Sequence, residues 1–193
     1  ALSGTVELVD GDKENFEIFS NRFGVAEPIA HDRRGAVTWI SFPPSPKYPA
    51  RGAPTLTDGI VGPMDWDWGD WLSFEGIDLE ATIDLGKLIL IQNIQLYCLQ
   101  NQGPYVFMPT NVYFSVSIDG VHFSEVSHML PKISPQHNGP IIEIFDAVIP
   151  ITSARYVRVK ADNMGTCPDW HPGNGDKAWL MAGEIVVNPT VIK

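Results

Sequence analysis

Apolar residues in this chain recur at alternate positions in short runs, and the runs are cut by glycine, proline, asparagine and aspartate. Nowhere is a 3.6-residue period sustained for three turns, so long amphipathic helices are not expected. The runs that read as strands are 5–9, 16–19, 37–42, 79–85, 89–99, 112–118, 141–149, 155–161 and 179–187. Asp10-Gly11, Pro43-Pro44, Asp58-Gly59, Gly103-Pro104, Asp119-Gly120, Asn138-Gly139-Pro140 and Pro172-Gly173 punctuate them as turns. Many strands divided by such turns predict an all-β chain folded as an antiparallel sandwich. The stretch 113–123 shows the alternation. Tyr113, Ser115, Ser117 and Asp119 fall on one face, Phe114, Val116 and Ile118 on the other. Asp119-Gly120 then marks a hairpin turn, after which Val121 and Phe123 resume the apolar pattern. In 155–161, Val157, Val159 and Ala161 face inward; Arg155 falls on the same parity and is expected at the strand edge.

Between residues 30 and 56 the pattern loosens. Pro43, Pro44, Pro46, Pro49 and Pro54 exclude a central strand and predict an extended connection laid along the body. Residues 1–30 read as an N-terminal extension, either the tail of a preceding domain or an added strand pair, and residues 31–193 as the domain proper. No internal repeat or low-complexity tract is visible.

Composition narrows the function. The 193 residues suit one domain, and 44% hydrophobic content suffices for a full core. Twenty-three acidic residues against 13 basic ones leave a net charge of −10 with no Lys/Arg cluster. A phosphate backbone or an anionic lipid surface would be repelled, so nucleic acid is not an expected partner. No apolar run approaches the roughly 20 residues that span a bilayer, so membrane insertion is not expected. The first ten residues lack the basic start and apolar stretch of a signal peptide. Cys98 and Cys167 leave two readings open, one disulfide or two separate thiols.

Several segments resemble a known domain in order: LTDG at 56–59, an acidic tryptophan-rich loop ending in WLSF at 71–74, DLEATIDLGK at 78–87, FSVSIDGVHFSEV at 114–126, RYVRVKA at 155–161 and AGEIVV at 182–187. Together they resemble the discoidin, or coagulation factor type C, domain. The chain is similar in particular to the family 32 carbohydrate-binding modules appended to bacterial β-hexosaminidases and other glycoside hydrolases. KYP at 47–49 and NMGTCPDWHPGNGDKAW at 163–179 carry that closer likeness. The resemblance spans roughly residues 31 to 188. It implies a jelly-roll β-sandwich that binds sugar at loops on one end, with a structural calcium nearby. The end-joining disulfide of the blood-factor type has no counterpart, because neither cysteine is terminal. The loop from Gly59 to Trp71 is longer than the usual one.

Asp58, Asp65, Asp67 and Asp70 lie in that loop. Calcium takes six to eight oxygens from carboxylates and backbone carbonyls. The resemblance implies that Asp58 and Glu184 clasp the ion, helped by the carbonyls of Leu56 and Gly183. Asp65 or Asp67 is the candidate to complete the shell. Such Ca2+ would be structural and would not activate water. The bland alternative is that Asp58 caps a turn, the other aspartates are solvated and Glu184 makes a pair. The five histidines have no zinc-ligand spacing.

Sugars present C–H faces to aromatic rings and hydroxyls to planar polar groups. The loops 62–71, 100–108 and 162–178 are expected to gather at one end. They offer Trp66, Trp68, Asn101, Tyr105, Asn163, Trp170 and His171 as ligand-binding candidates. Trp71, Phe74 and Trp179 read as core. Trp170 and His171 could instead close over the sandwich end, and Trp66 and Trp68 could shield the ion. No catalytic residue is assigned: there is no GxSxG, Walker or HExxH sequence, and the loop carboxylates suit a cation better than a glycosidase pair. The expectation is therefore a noncatalytic, monomeric, sugar-binding module. It would sit outside the cytoplasm (extracellular, periplasmic or at the cell surface) and hold a glycoside hydrolase domain on a glycan. The alternatives are an adhesion module that binds protein and a domain that only packs against a catalytic neighbour.

Overall fold

A computed structural model describes residues 34–189 and the backbone of the pair Glu27–Pro28. The runs 5–9 and 16–19 lie outside the described residues. The strands are β1 (Glu27–Pro28), β2 (Val37–Ile40), β3 (Ile60–Val61), β4 (Leu72–Glu75), β5 (Leu79–Gln100), β6 (Asn111–Ser117), β7 (Ser124–Met129), β8 (Ile141–Asp162) and β9 (Trp179–Val187); a single 3-10 turn spans Ala53–Leu56. All strand pairings are antiparallel.

Two 22-residue strands, β5 and β8, organise the rest. Residues Leu79–Asp84 of β5 pair with Ala161–Tyr156 of β8, and Asn93–Gln100 pair with Val148–Ile141. Register shifts at Asp84/Ile89 and Ile91/Asn93 separate the two halves. The first half of β5 also takes β2, and the matching half of β8 takes β6 and then β7. The second half of β5 takes β9, which takes β4. The bent ribbon thus feeds both layers of a sandwich. Its inward positions from both halves (Leu79, Ala81 and Ile83; Ile94, Leu96 and Cys98) enter one apolar cluster with Leu72, Phe74, Phe114, Phe145 and Ile185. Each leucine, isoleucine and phenylalanine among them contributes about 1.5–3 kcal/mol on leaving water.

The bend itself has a polar pin. Arg155 donates from Nε to Asp84 Oδ1 at 2.8 Å and from a terminal nitrogen to Oδ2 at 2.7 Å. Gly86, at φ 77°, donates its N–H to the same carboxylate. A residue on the inward parity is therefore charged because the strand changes direction there.

The expected pairs of runs 79–85 with 89–99, and 141–149 with 155–161, are each one continuous strand. The intervening residues bend the ribbon without reversing it. β4 and β7 were not expected. β7 reads SEVSHM, a polar edge strand with no apolar period; β4 is buried at Leu72, Ser73 and Phe74, so it shows no alternation. Ile118 and Val121 are exposed rather than inward, because Ser117 and Asp119 tie residues 117–122 into a turn. Glu27–Pro28 pairs with Ile60–Val61, so this described part of the N-terminal extension adds a strand to the body. Cys98 and Cys167 are both buried, free thiols in different apolar clusters.

Hydrogen bonding to Arg155 holds the Asp84 carboxyl below its ordinary range. The contribution of this pair to stability is complete above the unfolded carboxylate value of about 3.9 and is lost as pH falls through the lower folded value. Urea midpoints of wild type and Asp84→Asn should therefore differ at pH 6 and converge as pH drops below about 4. A gap that persists undiminished to pH 2 contradicts the pin.

Candidate functional site

One end of the sandwich is built around Trp71. Its ring is fully buried and its Nε1 donates to the Pro63 carbonyl at 2.7 Å. It lies against the outer side of β9, where a Cβ on Gly183 would come within 2.9 Å of the ring, and a Cβ on Gly62 would strike it too. This explains why all nine residues of β9 are buried. Trp71, Leu99, Val106, Trp179 and Met181 form a second apolar cluster, and Tyr48, Val61, Trp66 and Tyr105 pack on its rim. Segments from four parts of the chain therefore meet here, including the expected loops 62–71 and 100–108.

The third expected loop, 162–178, joins through Tyr105 and His171. Val106 bridges to Asn101 and Trp179, and the Trp179 N–H donates to the Tyr105 carbonyl at 2.8 Å. Tyr105 has φ 68°, a left-handed backbone that a bulky residue rarely takes. Its ring lies over Gly173, where a Cβ would come within 2.6 Å, and meets His171 edge-on at 5.1 Å. Backbone strain of this kind persists only where the surroundings impose it, and it gathers at binding sites.

The seven ligand candidates divide by how their groups are used. Trp68 is 62% exposed and Trp170 is 42% exposed, so both offer ring surface. Trp170 leans edge-on against Phe107 and His171. Trp66 is half-buried, edge-on to Tyr48 at 5.0 Å. Tyr105 and Asn101 are half-buried in the same turn. His171 and Asn163 are occupied internally instead. The His171 Nδ1 accepts from the Gly173 N–H and its Nε2 faces the Gln102 carbonyl at 2.8 Å, which fixes Nε2 as the protonated nitrogen. Asn163 donates from Nδ2 to the Phe74 carbonyl and accepts from the Gly165 N–H. These bonds use both ring nitrogens of His171, and one donor and one lone pair of the Asn163 amide, to position the loop.

Sequence reasoning passed over Tyr48 and Lys47. Tyr48 touches both Trp66 and Trp179 edge-on, and the Lys47 Nζ lies 5.2 Å from the Trp179 ring centre. Their only signal was the KYP likeness, since a proline-bounded dipeptide has no period.

The cation candidates converge only in part. The 3-10 turn ends at buried Leu56 and sets Asp58 next to β9, where the Gly59 N–H donates to Glu184 Oε2 at 3.0 Å. Glu184 is fully buried, and Gly183 beside it is packed on Trp71. Glu184 is thus tied to the residue that follows Asp58, through the Gly59 N–H. Asp58 Oδ1 accepts from the Ile60 N–H, and Oδ2 accepts two N–H groups of Arg51 at 2.7 Å. The same guanidinium reaches Asp70 Oδ1 at 2.7 Å, and Arg34 donates to the Asp58 carbonyl at 2.7 Å. Asp65 and Asp67 stay exposed on the loop, where hydrogen bonding to Asp65 raises the Asp67 carboxyl above its usual range. Among the described residues no three His, Cys, Asp or Glu side chains gather as a metal set. Three carboxylate oxygens of the expected clasp, both of Asp58 and one of Glu184, accept N–H donors here, and Arg51 brings a positive charge to Asp58.

No family profile and no curated protein matches the sequence. Solved structures do match the fold. The CpGH89CBM32-5 module from Clostridium perfringens, solved with GalNAc-β-1,3-galactose, is 19% identical, with 84% of this chain and 99% of that one covered at a TM-score of 0.52. Chitosan-binding module 1 of a chitosanase/glucanase from Paenibacillus sp. IK-5 is 15% identical, covering 82% and 98% at 0.53. The lectin domain of lectinolysin, complexed with Lewis B antigen, is 16% identical, covering 85% and 99% at 0.55. The chain therefore has the β-sandwich fold of these modules. No helix among the described residues is long and apolar enough to cross a membrane.

Arg51 is 41% exposed, so its network contributes about 1 kcal/mol after solvent screening. Arg51→Met should lower the melting midpoint by about 2–4 °C for a domain of this size, as read by differential scanning calorimetry. No change would show that the guanidinium does not hold the loops.

Proposed function

We propose that this chain is a noncatalytic carbohydrate-binding module that holds a glycoside hydrolase domain on a glycan outside the cytoplasm. The observation that carries the reading is the strained Tyr105. Its ring is held over Gly173 beside half-buried Asn101, at the end of the sandwich where Trp68 and Trp170 expose ring surface. That combination of ring faces and planar polar groups suits a saccharide. Of the three modules that share the fold, two were solved with a bound saccharide and one is a chitosan-binding module, which supports the same direction.

Hydrolysis has little support. A glycosidase pair flanks its bond across a cleft, with carboxyl groups about 5–9.5 Å apart. Asp65 and Asp67 are instead neighbours on one exposed loop, and Asp58 and Asp70 share an arginine. The clasp at Asp58 and Glu184 would hold with Arg51 as its positive charge, in place of calcium. A ligand of the native state must raise its midpoint. Melting in calcium and in chelator should therefore give one midpoint, and a rise with calcium would restore the ion to the clasp.

A glycan array probed with wild type, Tyr105→Ala and Trp68→Ala tests the main reading. The wild type should label a restricted set of glycans, and each variant should weaken the signal about ten-fold, the loss of roughly 1.4 kcal/mol of ring contact. An array with no wild-type signal overturns it. It would leave a protein-adhesion or purely packing role to explain the exposed rings.

A further inference from the structure

The outer face of the sheet β2–β5–β8–β6–β7 holds a second feature, separate from the loop end. An open groove of about 320 Å³ is lined by Glu80, Tyr113, Ser115, Glu125, Arg158 and Lys160. Strand register explains the set. Thr82, Arg158, Ser115 and Glu125 lie in one cross-strand row, and Glu80, Lys160, Tyr113 and His128 in the next. Directly paired residues share a face, so these side chains stand together on rigid strands.

Arg158 is held at two points. Its guanidinium stacks on Phe123 at 3.7 Å, and its Nε donates to the Thr82 hydroxyl at 3.2 Å. Arg51 and Arg155 have carboxylate partners; Arg158 has none among the described residues. It is a preorganised fork with terminal N–H groups still to satisfy, and such a fork matches a planar carboxylate. Lys160 stands beside it, paired with Asp162 at 2.7 Å. Glu125 has no ion-pair partner among the described residues, and Glu80 accepts from the Ser41 hydroxyl at 2.8 Å. Two carboxylates and the Ser115 hydroxyl can thus accept from a ligand's hydroxyl groups. Tyr113 is stiffened by a parallel stack on His128 at 4.5 Å, and His128 is bonded to Asn111. Exposed Trp39 continues the same face beyond Thr82.

We propose that this groove is a second saccharide site and that it takes a carboxylated sugar unit, a uronate within a polysaccharide. The sugar carboxylate sits on the Arg158 fork, and ring hydroxyls donate to Glu80 and Glu125. The net charge of −10 does not prevent this: salt screens charges beyond about 8 Å at physiological strength, and within the groove Arg158 and Lys160 balance Glu80 and Glu125, so the fork geometry of Arg158 rather than net charge selects the carboxylate. The proposal rests on the reading of the chain as a glycan binder, but on different residues.

Calorimetric titration with trimers of galacturonate, glucuronate and mannuronate, against a neutral galactose trimer, tests it. At least one uronate should bind, more weakly as salt rises. Arg158→Gln should weaken it roughly ten- to a hundred-fold, as expected for lost hydrogen bonds to a charged group. Arg158→Lys, which keeps the charge without the fork, should weaken it too, and Tyr105→Ala should leave it unchanged. Melting curves confirm that the variants are folded. Failure of all three uronates to bind, or equal uronate binding by Arg158→Gln, overturns the groove. Loss with Tyr105→Ala alone places the uronate at the loop end, overturning the groove and sparing the loop reading. Uronate binding that needs Arg158, with no neutral glycan bound anywhere, sustains the groove and sinks the loop reading.

Discussion

A strand of 22 residues at about 3.3 Å per residue would run about 70 Å, far beyond the dimensions of a two-layer sandwich whose sheets lie about 10 Å apart. β5 and β8 share that length, so their ribbon must bend, and the other strands of their seven-stranded sheet attach to one side of the bend or the other. Arg155 and Asp84 sit where the ladder loses register. On one side the ribbon adds β2, β6 and β7; on the other it adds β9 and β4. The bend therefore decides which strand edges remain for loops to cover. It also separates the face that holds the Arg158 groove from the end that gathers the aromatic loops.

At that end, close packing substitutes for regular structure. Trp71 needs glycine at both 62 and 183, and Tyr105 needs glycine at 173. These contacts leave the loops little freedom, although they contain almost no repetitive hydrogen bonding. The two arginines at Asp58 act in the same sense. They tie the proline-rich connection and the acidic loop to Asp58, and the Gly59 N–H next to it binds Glu184 within the fully buried β9. Loops held in this way are stiff before any ligand arrives, which would lower the ordering cost of an association there.

Much of this was legible in the chain. Alternation located β6 and the paired halves of β5 and β8, because each has one buried face and a period of two; β9, covered on both faces, was legible only as a short apolar run. Alternation failed at β4, where both faces are covered, and at β7, where only Val126 and Met129 pack on the core. It could not distinguish a bend from a turn at residues 84–89, since both are marked by the same glycine and polar residues. The candidate site was drawn from the sequence by residue type. Trp68, Trp170 and Tyr105 lie where an aromatic-rich loop reading puts them, on or beside exposed surface. His171 and Asn163 look like ligand contacts in sequence and are internal fastenings in space. Which of two equal-looking polar residues spends its hydrogen bonds inward depends on contacts across 69 and 89 residues of chain. Arg51 was invisible for a similar reason: its partners are carboxylates that read equally well as metal donors.

The two cysteines have a consequence for where such a module can work. Cys98 is sealed in the main core, and burial pushes its thiol above the ordinary range; Cys167 is buried in a separate cluster, with its thiol raised for the same reason. Thiolates are the reactive species, and here both are disfavoured. Once folded, neither thiol is placed to exchange with another, so the folded domain tolerates a reducing or an oxidising surrounding alike.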